Sequence, residues 1–317
     1  MNEKNIDAEE RSKMTNVIEV KGLTKRYGDK TAVHDISFTV KKGEIFGIIG
    51  PNGAGKTTTI EILEGLRKRD AGEVNVLGFD PGKEAERYQL NQKIGVQFQA
   101  TSIQELMKVK EALQLFASFY EKVPDYDDLI QQLHLEDKLD SYFKDLSGGW
   151  KQRVTLALSV LHRPDIVFLD EPSMGLDPQA RRDLWEVIHS LKESGTTILV
   201  TTHYMEEAEK LCDRVAMVYE GRVRALDKPR VLLEQLATNF LSFESPDVDR
   251  EVLSRLPCVQ QIEHQEDHFR IQTDDLQHLA YLVLKKCEEQ DWKLSAFRFE
   301  RGSMDDLFVH LLKEPSA

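Results

Sequence analysis

Cysteine is scarce in this chain: three in 317 residues, Cys212, Cys258 and Cys287, widely spaced and with no CxxC pair. That argues against a disulfide framework and against a thiolate zinc or redox centre, and leaves three reduced, partly buried thiols as the expectation. Long apolar runs are missing as well. No stretch reaches the roughly 18–20 uninterrupted apolar residues that span a bilayer, and the opening "MNEKNIDAEERSKMTNVIEV" lacks the apolar core of a signal peptide. A cytosolic chain is expected. Basic charge is in deficit: 42 Lys and Arg against 55 Asp and Glu give a net charge of −13, and no basic run exceeds "RKR" at 67–69. A nucleic acid would meet net repulsion, so no nucleic-acid partner is expected.

What is present has a globular balance, 40% hydrophobic and 31% charged residues, and the length suits two domains of about 100–200 residues each. Residues 1–15 read as a polar tail. Residues 16–50 alternate apolar and polar side chains around Gly-Asp and Lys-Gly turn signals, which predicts several short strands, the last of them the buried "EIFGIIG". Ile60, Leu63 and Leu66 recur at i, i+3 and i+6, which predicts a helix over 55–67. Residues 101–163 are helical in pattern, interrupted at Pro124 and at the glycines of "DLSGGW". "DIVFLDEP" (165–172) and "TTILVTTH" (196–203) have strand length and flank the helical "QARRDLWEVIHSLKESG", a parallel crossover unit. Beyond about residue 230 the order becomes strand, helix, strand, strand, helix, strand, the ferredoxin-like arrangement, followed by a last helix "SMDDLFVHLLK".

"GPNGAGKT" at 50–57 fits GxxxxGK[ST] at every fixed position. Its glycines let backbone N–H groups wrap a phosphate chain, and the following helix turns its positive end to the anion. Gly50, Asn52, Gly53, Gly55, Lys56, Thr57 and Thr58 are therefore candidate nucleotide-binding residues, with Lys56 reaching the β- and γ-phosphates and the Thr57 hydroxyl on Mg²⁺. A buried strand ending in "LDE" delivers carboxylates to the mouth of a parallel sheet, where ligands bind. Asp170 is expected to hold Mg²⁺ through water, and Glu171 to polarise the attacking water.

"DLSGGWKQR" (145–153) narrows the reading. Ser147, Gly148 and Gly149 at a helix start form a second anion site, and this segment, about twenty residues before the carboxylate strand, resembles the signature of ATP-binding cassette ATPases. The resemblance covers about residues 17–228. It implies an α/β fold, a cassette-type phosphate-loop ATPase domain at 16–229 with a helical subdomain at about 101–163; the small α+β, ferredoxin-like C-terminal domain at 230–317 is read from its own order of strands and helices. It implies ATP and Mg²⁺ as ligands, and two cassettes facing head to tail, each ATP lying between the phosphate loop of one and the signature of the other. Tyr27 in "KRYG" matches the aromatic residue that stacks on adenine, though an ordinary strand aromatic is the competing reading. Gln99 matches the glutamine that senses Mg²⁺ and water and couples them to the membrane partner, with Gln97 as the competing position; Gln99 is preferred because it ends the apolar stretch. Asp177 in "GLD" matches the loop at the dimer interface, and His203, 32 residues after Glu171, the histidine that contacts the γ-phosphate. Trp150 departs from the pattern, which commonly has Gln there.

Three roles are open. "GPNGAGKTTTIEILEGL", "EPSMGLDP" and "SMDDLFVHLL" look like the drug- and antibiotic-resistance exporter branch. That implies a subunit lying on the inner face of the membrane, energising export of a drug-like, lipid or antibiotic substrate through a separate integral permease and pairing with a second cassette. An importer subunit with a regulatory C-terminal domain, and a soluble cassette ATPase outside transport, are the alternatives.

Overall fold

A computed structural model describes residues 16–99, 103–236 and 239–313. The chain falls into two units, Met1–Pro229 and Arg230–Ala317. The polar segment 1–15 lies outside the described residues.

In the first unit, β1 (Asn16–Tyr27) and β2 (Lys30–Lys41) form an antiparallel hairpin of two twelve-residue strands. Several short strands were expected. Gly22, with φ 61°, sits at an irregularity between Val20 and Leu23 and lets β1 continue, so this glycine marks a bulge and not a turn. β3 (Ile45–Ile49) is buried at every position, and leads through the phosphate loop into α1 (Lys56–Leu63). The helix stops four residues before the expected end. Gly65 takes φ 76° and the Leu66 amide bonds back to Glu61 O at 2.9 Å, a left-handed C-terminal cap that leaves Leu66 60% exposed. β4 (Ala71–Val76) pairs with the free side of β1, giving a sheet ordered β2-β1-β4.

The chain continues as α2 (Glu84–Asn91), β5 (Ile94–Gln97), α3 (Val109–Ala117), α4 (Asp127–Gln132) and α5 (Gly148–Val160), then β6 (Ile166–Asp170), α6 (Pro178–Glu193), β7 (Thr197–Thr202), α7 (Met205–Leu211), β8 (Arg214–Tyr219) and β9 (Arg222–Asp227). A second sheet runs β5-β6-β7-β3-β8-β9, parallel except for β9. β3, β6 and β7 are buried on both faces, which explains their unbroken apolar runs. Register sets the site. Ile49 pairs with Thr202 and Thr201 with Asp170, so Gly50, Glu171 and His203, the residues that follow these strands, emerge side by side at the carboxyl edge. Between the two sheets Phe38 of β2 stacks on Phe46 of β3 at 5.2 Å, within a core that includes Ile18, Leu23, Val33, Ile60 and Leu63.

The second unit follows α8 (Pro229–Leu236) with β10 (Asn239–Glu244), α9 (Arg250–Ser254), β11 (Gln261–Gln265), β12 (His268–Thr273), α10 (Leu276–Gln290), β13 (Ser295–Arg301) and α11 (Met304–Lys313). Its four strands are ordered β11-β12-β10-β13 and all pairings are antiparallel, the ferredoxin-like order. Leu241, Phe243, Phe269 and Ile271 pack with Leu279 and Val283 of α10. On the other side Arg270 stacks over Phe240 at 3.5 Å and makes ion pairs with Glu263, Glu300 and Asp306 at 3.2, 3.2 and 2.8 Å. That single guanidinium ties three strands and α11 together. All three cysteines are free, Cys212 buried and the other two half-buried.

Candidate functional site

Lys56 is the first residue of α1 and is only 4% exposed. The loop before it curls tightly: Gly55 takes φ 104°, and a Cβ there would lie 2.3 Å from Ala32 O. Only glycine fits. The Lys56 ammonium donates to Gly50 O at 2.8 Å and to Pro51 O at 3.2 Å, and makes an ion pair with Glu171 Oε1 at 3.1 Å. The other oxygen of Glu171 lies 2.6 Å from His203 Nδ1. Glu171 is 6% exposed and holds φ 48°, a left-handed backbone uncommon outside glycine. Its amide donates to Thr201 O at 3.1 Å and Thr201 Oγ1 at 3.0 Å, which anchors that conformation.

Asp170 accepts hydrogen bonds from Thr201 and, at 3.4 Å, from the Thr57 hydroxyl. Burial holds its carboxyl above the usual range, partly opposed by those two hydroxyls. Glu64, at the end of α1 and 4% exposed, is pushed up to about 9, by burial first and then by the charges of Asp170 and Glu61.

A cleft of about 450 Å³ opens above these groups, lined by Tyr27, Asn52, Gly53, Gly55, Lys56, Thr57, Thr58, Gln99 and Glu171, together with Lys30, Ala32 and Met174. Gln97 lies elsewhere: it is 2% exposed and its amide donates to Gln152 and Thr155 of α5, both at 3.0 Å. Tyr27 is 40% exposed, with the cations of Lys25 and Arg67 at 5.6 and 5.3 Å from its ring.

Ser147, Gly149 and Asp177 line a different, smaller cleft of about 220 Å³, with Trp150, Arg153, Gln179, Ala180 and Asp183. Among the described residues none lines both. Ser147 is the N-cap of α5, which begins at Gly148, yet its hydroxyl makes no capping bond and stays available. Asp177 does cap its helix: its carboxylate accepts from the Gln179 and Ala180 amides, both at 3.0 Å, and the Ala180 bond foremost holds its pKa below the usual carboxylate range. Trp150 carries the guanidinium of Arg153 at 4.9 Å and the ammonium of Lys138 at 5.3 Å from its ring.

Three contributors escaped the sequence reading. Thr201 bridges Asp170 and the Glu171 backbone. Tyr204 packs on His203 at 4.1 Å, and the Arg181 guanidinium lies 4.2 Å from the Tyr204 ring. A packed chain therefore runs from the first turn of α6 through Arg181, Tyr204 and His203 to Glu171. Adjacency in sequence signalled only the His203–Tyr204 step; the others depend on the α6–β7 juxtaposition.

A phosphate loop at the end of a central parallel strand, a buried Lys56–Glu171 pair with the half-buried His203 beside it, and a separate helix-start site define a phosphate-loop nucleotide-binding protein. The family model described as ABC transporter matches residues 33–174. "Nod factor export ATP-binding protein I" of Ralstonia nicotianae is 34% identical over 306 residues, 94% of each chain. The protein of the same name from Burkholderia orbicola is 42% identical over 236 residues, 73% of this chain and 77% of that one. Among solved structures, an ATP-binding subunit of an ABC transporter matches at TM-score 0.61 and 31% identity, over 69% of this chain and 93% of that one. A dimeric ATP-binding cassette in a post-hydrolysis state, bound to ADP and Pi, matches at TM-score 0.59 and 25% identity, over 67% and 98%. The chain belongs to the ABC transporter family, as an ATP-binding, ATP-hydrolysing subunit. Among the described residues no helix is long and apolar enough to cross a membrane.

Proposed function

We propose that this chain powers an exporter as one of a pair of cassettes, with the ATPase at 16–229 and an accessory unit at 230–317, lying at the cytoplasmic face of the membrane on a separate permease. The single observation behind export is that a relative sharing 94% of its length with this chain carries export in its name; a drug-like, lipid or antibiotic cargo is the matching substrate class.

The residues take the following roles. Phosphate displaces Glu171 from Lys56, and Lys56 with the loop amides binds the β- and γ-phosphates. Tyr27 at the cleft's rim receives the adenine. Glu171, freed from the ammonium and still held by His203, accepts a proton from the water that attacks the terminal phosphorus, and ADP leaves as that P–O bond breaks. Ser147, Gly148 and Gly149 present their donors to the γ-phosphate on the opposite cassette, Asp177 sits where the two meet, and Gln99 carries the state of the cleft to the permease.

Thr57 and Asp170 offer Mg²⁺ a hydroxyl and a carboxylate 3.4 Å apart, with Gln99 on the same cleft. Among the described residues no group of three His, Cys, Asp or Glu could hold a metal, which fits an ion that keeps several waters and binds through one or two carboxylates plus substrate phosphates. When bound, Mg²⁺ supplies charge neutralisation at the phosphates.

Mild-detergent affinity purification of the chain from its own cells, with mass spectrometry of co-purifying proteins, tests this. A polytopic membrane protein in stoichiometric amount is the expected result. Recovery only with ribosomes or soluble enzymes would contradict it.

A further inference from the structure

β13 is the outermost strand of the second unit, paired with β10 on one side, and among the described residues no backbone bond reaches its other edge. The opposite border, β11, is blunted by polar residues, with Ile262 the single aliphatic in Gln261–Gln265. β13 is different. Its irregularity lies near Ala296, which takes φ 51°, and beyond it Arg298–Arg301 pairs regularly with β10. In that regular stretch Phe299 is 61% exposed. Phe299 is the partner of Leu241 and so lies on the side of the sheet covered by α10. α10 itself exposes Tyr281 (60%) and Leu284 (50%). Arg298 and Glu300 point to the other side, by the two-residue period of a strand. The Arg298 side chain makes no hydrogen bond or ion pair among the described residues.

These residues are self-complementary. Against an antiparallel copy of β13 with Phe299 facing Phe299, each Arg298 falls opposite the Glu300 of the other copy. Shifting the centre to Arg298 opposes two arginines, and shifting it to Glu300 opposes two carboxylates, so charge selects one register. Glu300 already accepts from Ser242 at 2.6 Å and Arg270 at 3.2 Å, yet a carboxylate has lone pairs for a further donor. We propose that the second unit pairs with that of a second copy of this chain through β13, antiparallel, about a twofold axis at Phe299. The sheet becomes continuous across the two copies and the exposed ring is covered. The pairing requires no nucleotide.

The test is cysteine cross-linking in the full chain. Directly opposed residues of an antiparallel pair lie about 4.5–5.5 Å apart at Cα, within disulfide reach. Phe299→Cys under mild oxidant, without nucleotide, is expected to give a disulfide dimer well above the background of the unsubstituted chain, whose own Cys258 and Cys287 set that background. Gln261→Cys on the other border should stay at background. Adding Arg298→Glu to Phe299→Cys opposes two carboxylate pairs and should weaken dimerisation about ten-fold, read by sedimentation with the thiols reduced. Background-level cross-linking at 299, cross-linking only to a different polypeptide, or dimerisation indifferent to Arg298→Glu would each overturn the proposal. ATP hydrolysis by the same variants reports separately on the nucleotide site.

Discussion

Glu171→Gln replaces a carboxylate by an amide of the same shape at a position with two partners, Lys56 Nζ at 3.1 Å and His203 Nδ1 at 2.6 Å. Two consequences separate. The proton acceptor is lost, and turnover should fall about 10²–10⁴-fold, the usual contribution of general-base catalysis. Nucleotide affinity should move the other way, because phosphate competes with Glu171 for the Lys56 ammonium. At 3.1 Å the direct attraction is about 5 kcal/mol for an effective dielectric of about 20. Much of this is offset by solvation that buried ions forgo, and a net competition of about 1.4 kcal/mol corresponds to ATP binding about ten-fold tighter in the variant. Phosphate release at saturating ATP reads the first effect, and equilibrium titration with a fluorescent ATP analogue reads the second. Unchanged turnover would remove Glu171 from the role of base. Binding ten-fold weaker would refute the competition drawn from the Lys56–Glu171 pair.

Tyr204→Ala should lower kcat about ten-fold with little change in KM, since it loosens His203 and Glu171 without touching the phosphate loop, and Tyr204→Phe should retain activity; an unaffected kcat in the alanine variant would show that the Arg181–Tyr204 stack does not position the base. Glu64 holds in the folded chain, up to about pH 9, a proton that the unfolded chain releases near 4.5, so stability drains as pH rises through that window. Glu64→Gln should therefore raise Tm by about 3 °C or more at about pH 8, with the gap closing toward pH 5, and a pH-independent difference would contradict the burial argument. Trp150→Gln should keep ATP hydrolysis within about three-fold of the unsubstituted rate, because Ser147 and the helix-start amides remain as donors. A collapse would give the tryptophan, with its Arg153 and Lys138 neighbours, a specific part in turnover.

The glycine spacing of the phosphate loop and the acids ending "VFLDE" were legible because both are local: loop geometry needs glycine at fixed offsets, and a buried strand needs a continuous apolar run. The ferredoxin-like order of the second unit was legible for a similar reason, each strand carrying its own two-residue alternation. Gly22 was misleading, since a glycine signals a turn and a bulge equally well until the partner strand is known. Leu66 fitted the helical period, but Gly65 ended α1 first. Neither Thr201 beneath the acids nor Arg181 over Tyr204 carries a sequence signal, because both contacts join elements only the fold brings together. The proton on Glu64 is likewise a property of burial, invisible in a residue that reads as an ordinary helix-surface acid.

The most direct test of the central claim, that each ATP is hydrolysed between the phosphate loop of one copy and the signature of another, is a mixing experiment. Lys56→Ala disables the first cleft and Ser147→Arg fills the second, so neither variant alone contains a complete site. A mixed pair contains one, built from the phosphate loop of the Ser147→Arg chain and the signature of the Lys56→Ala chain. Co-refolding or co-expressing the two should restore ATP hydrolysis that neither shows alone. A mixture as inactive as its components would contradict a shared site between two copies of this chain.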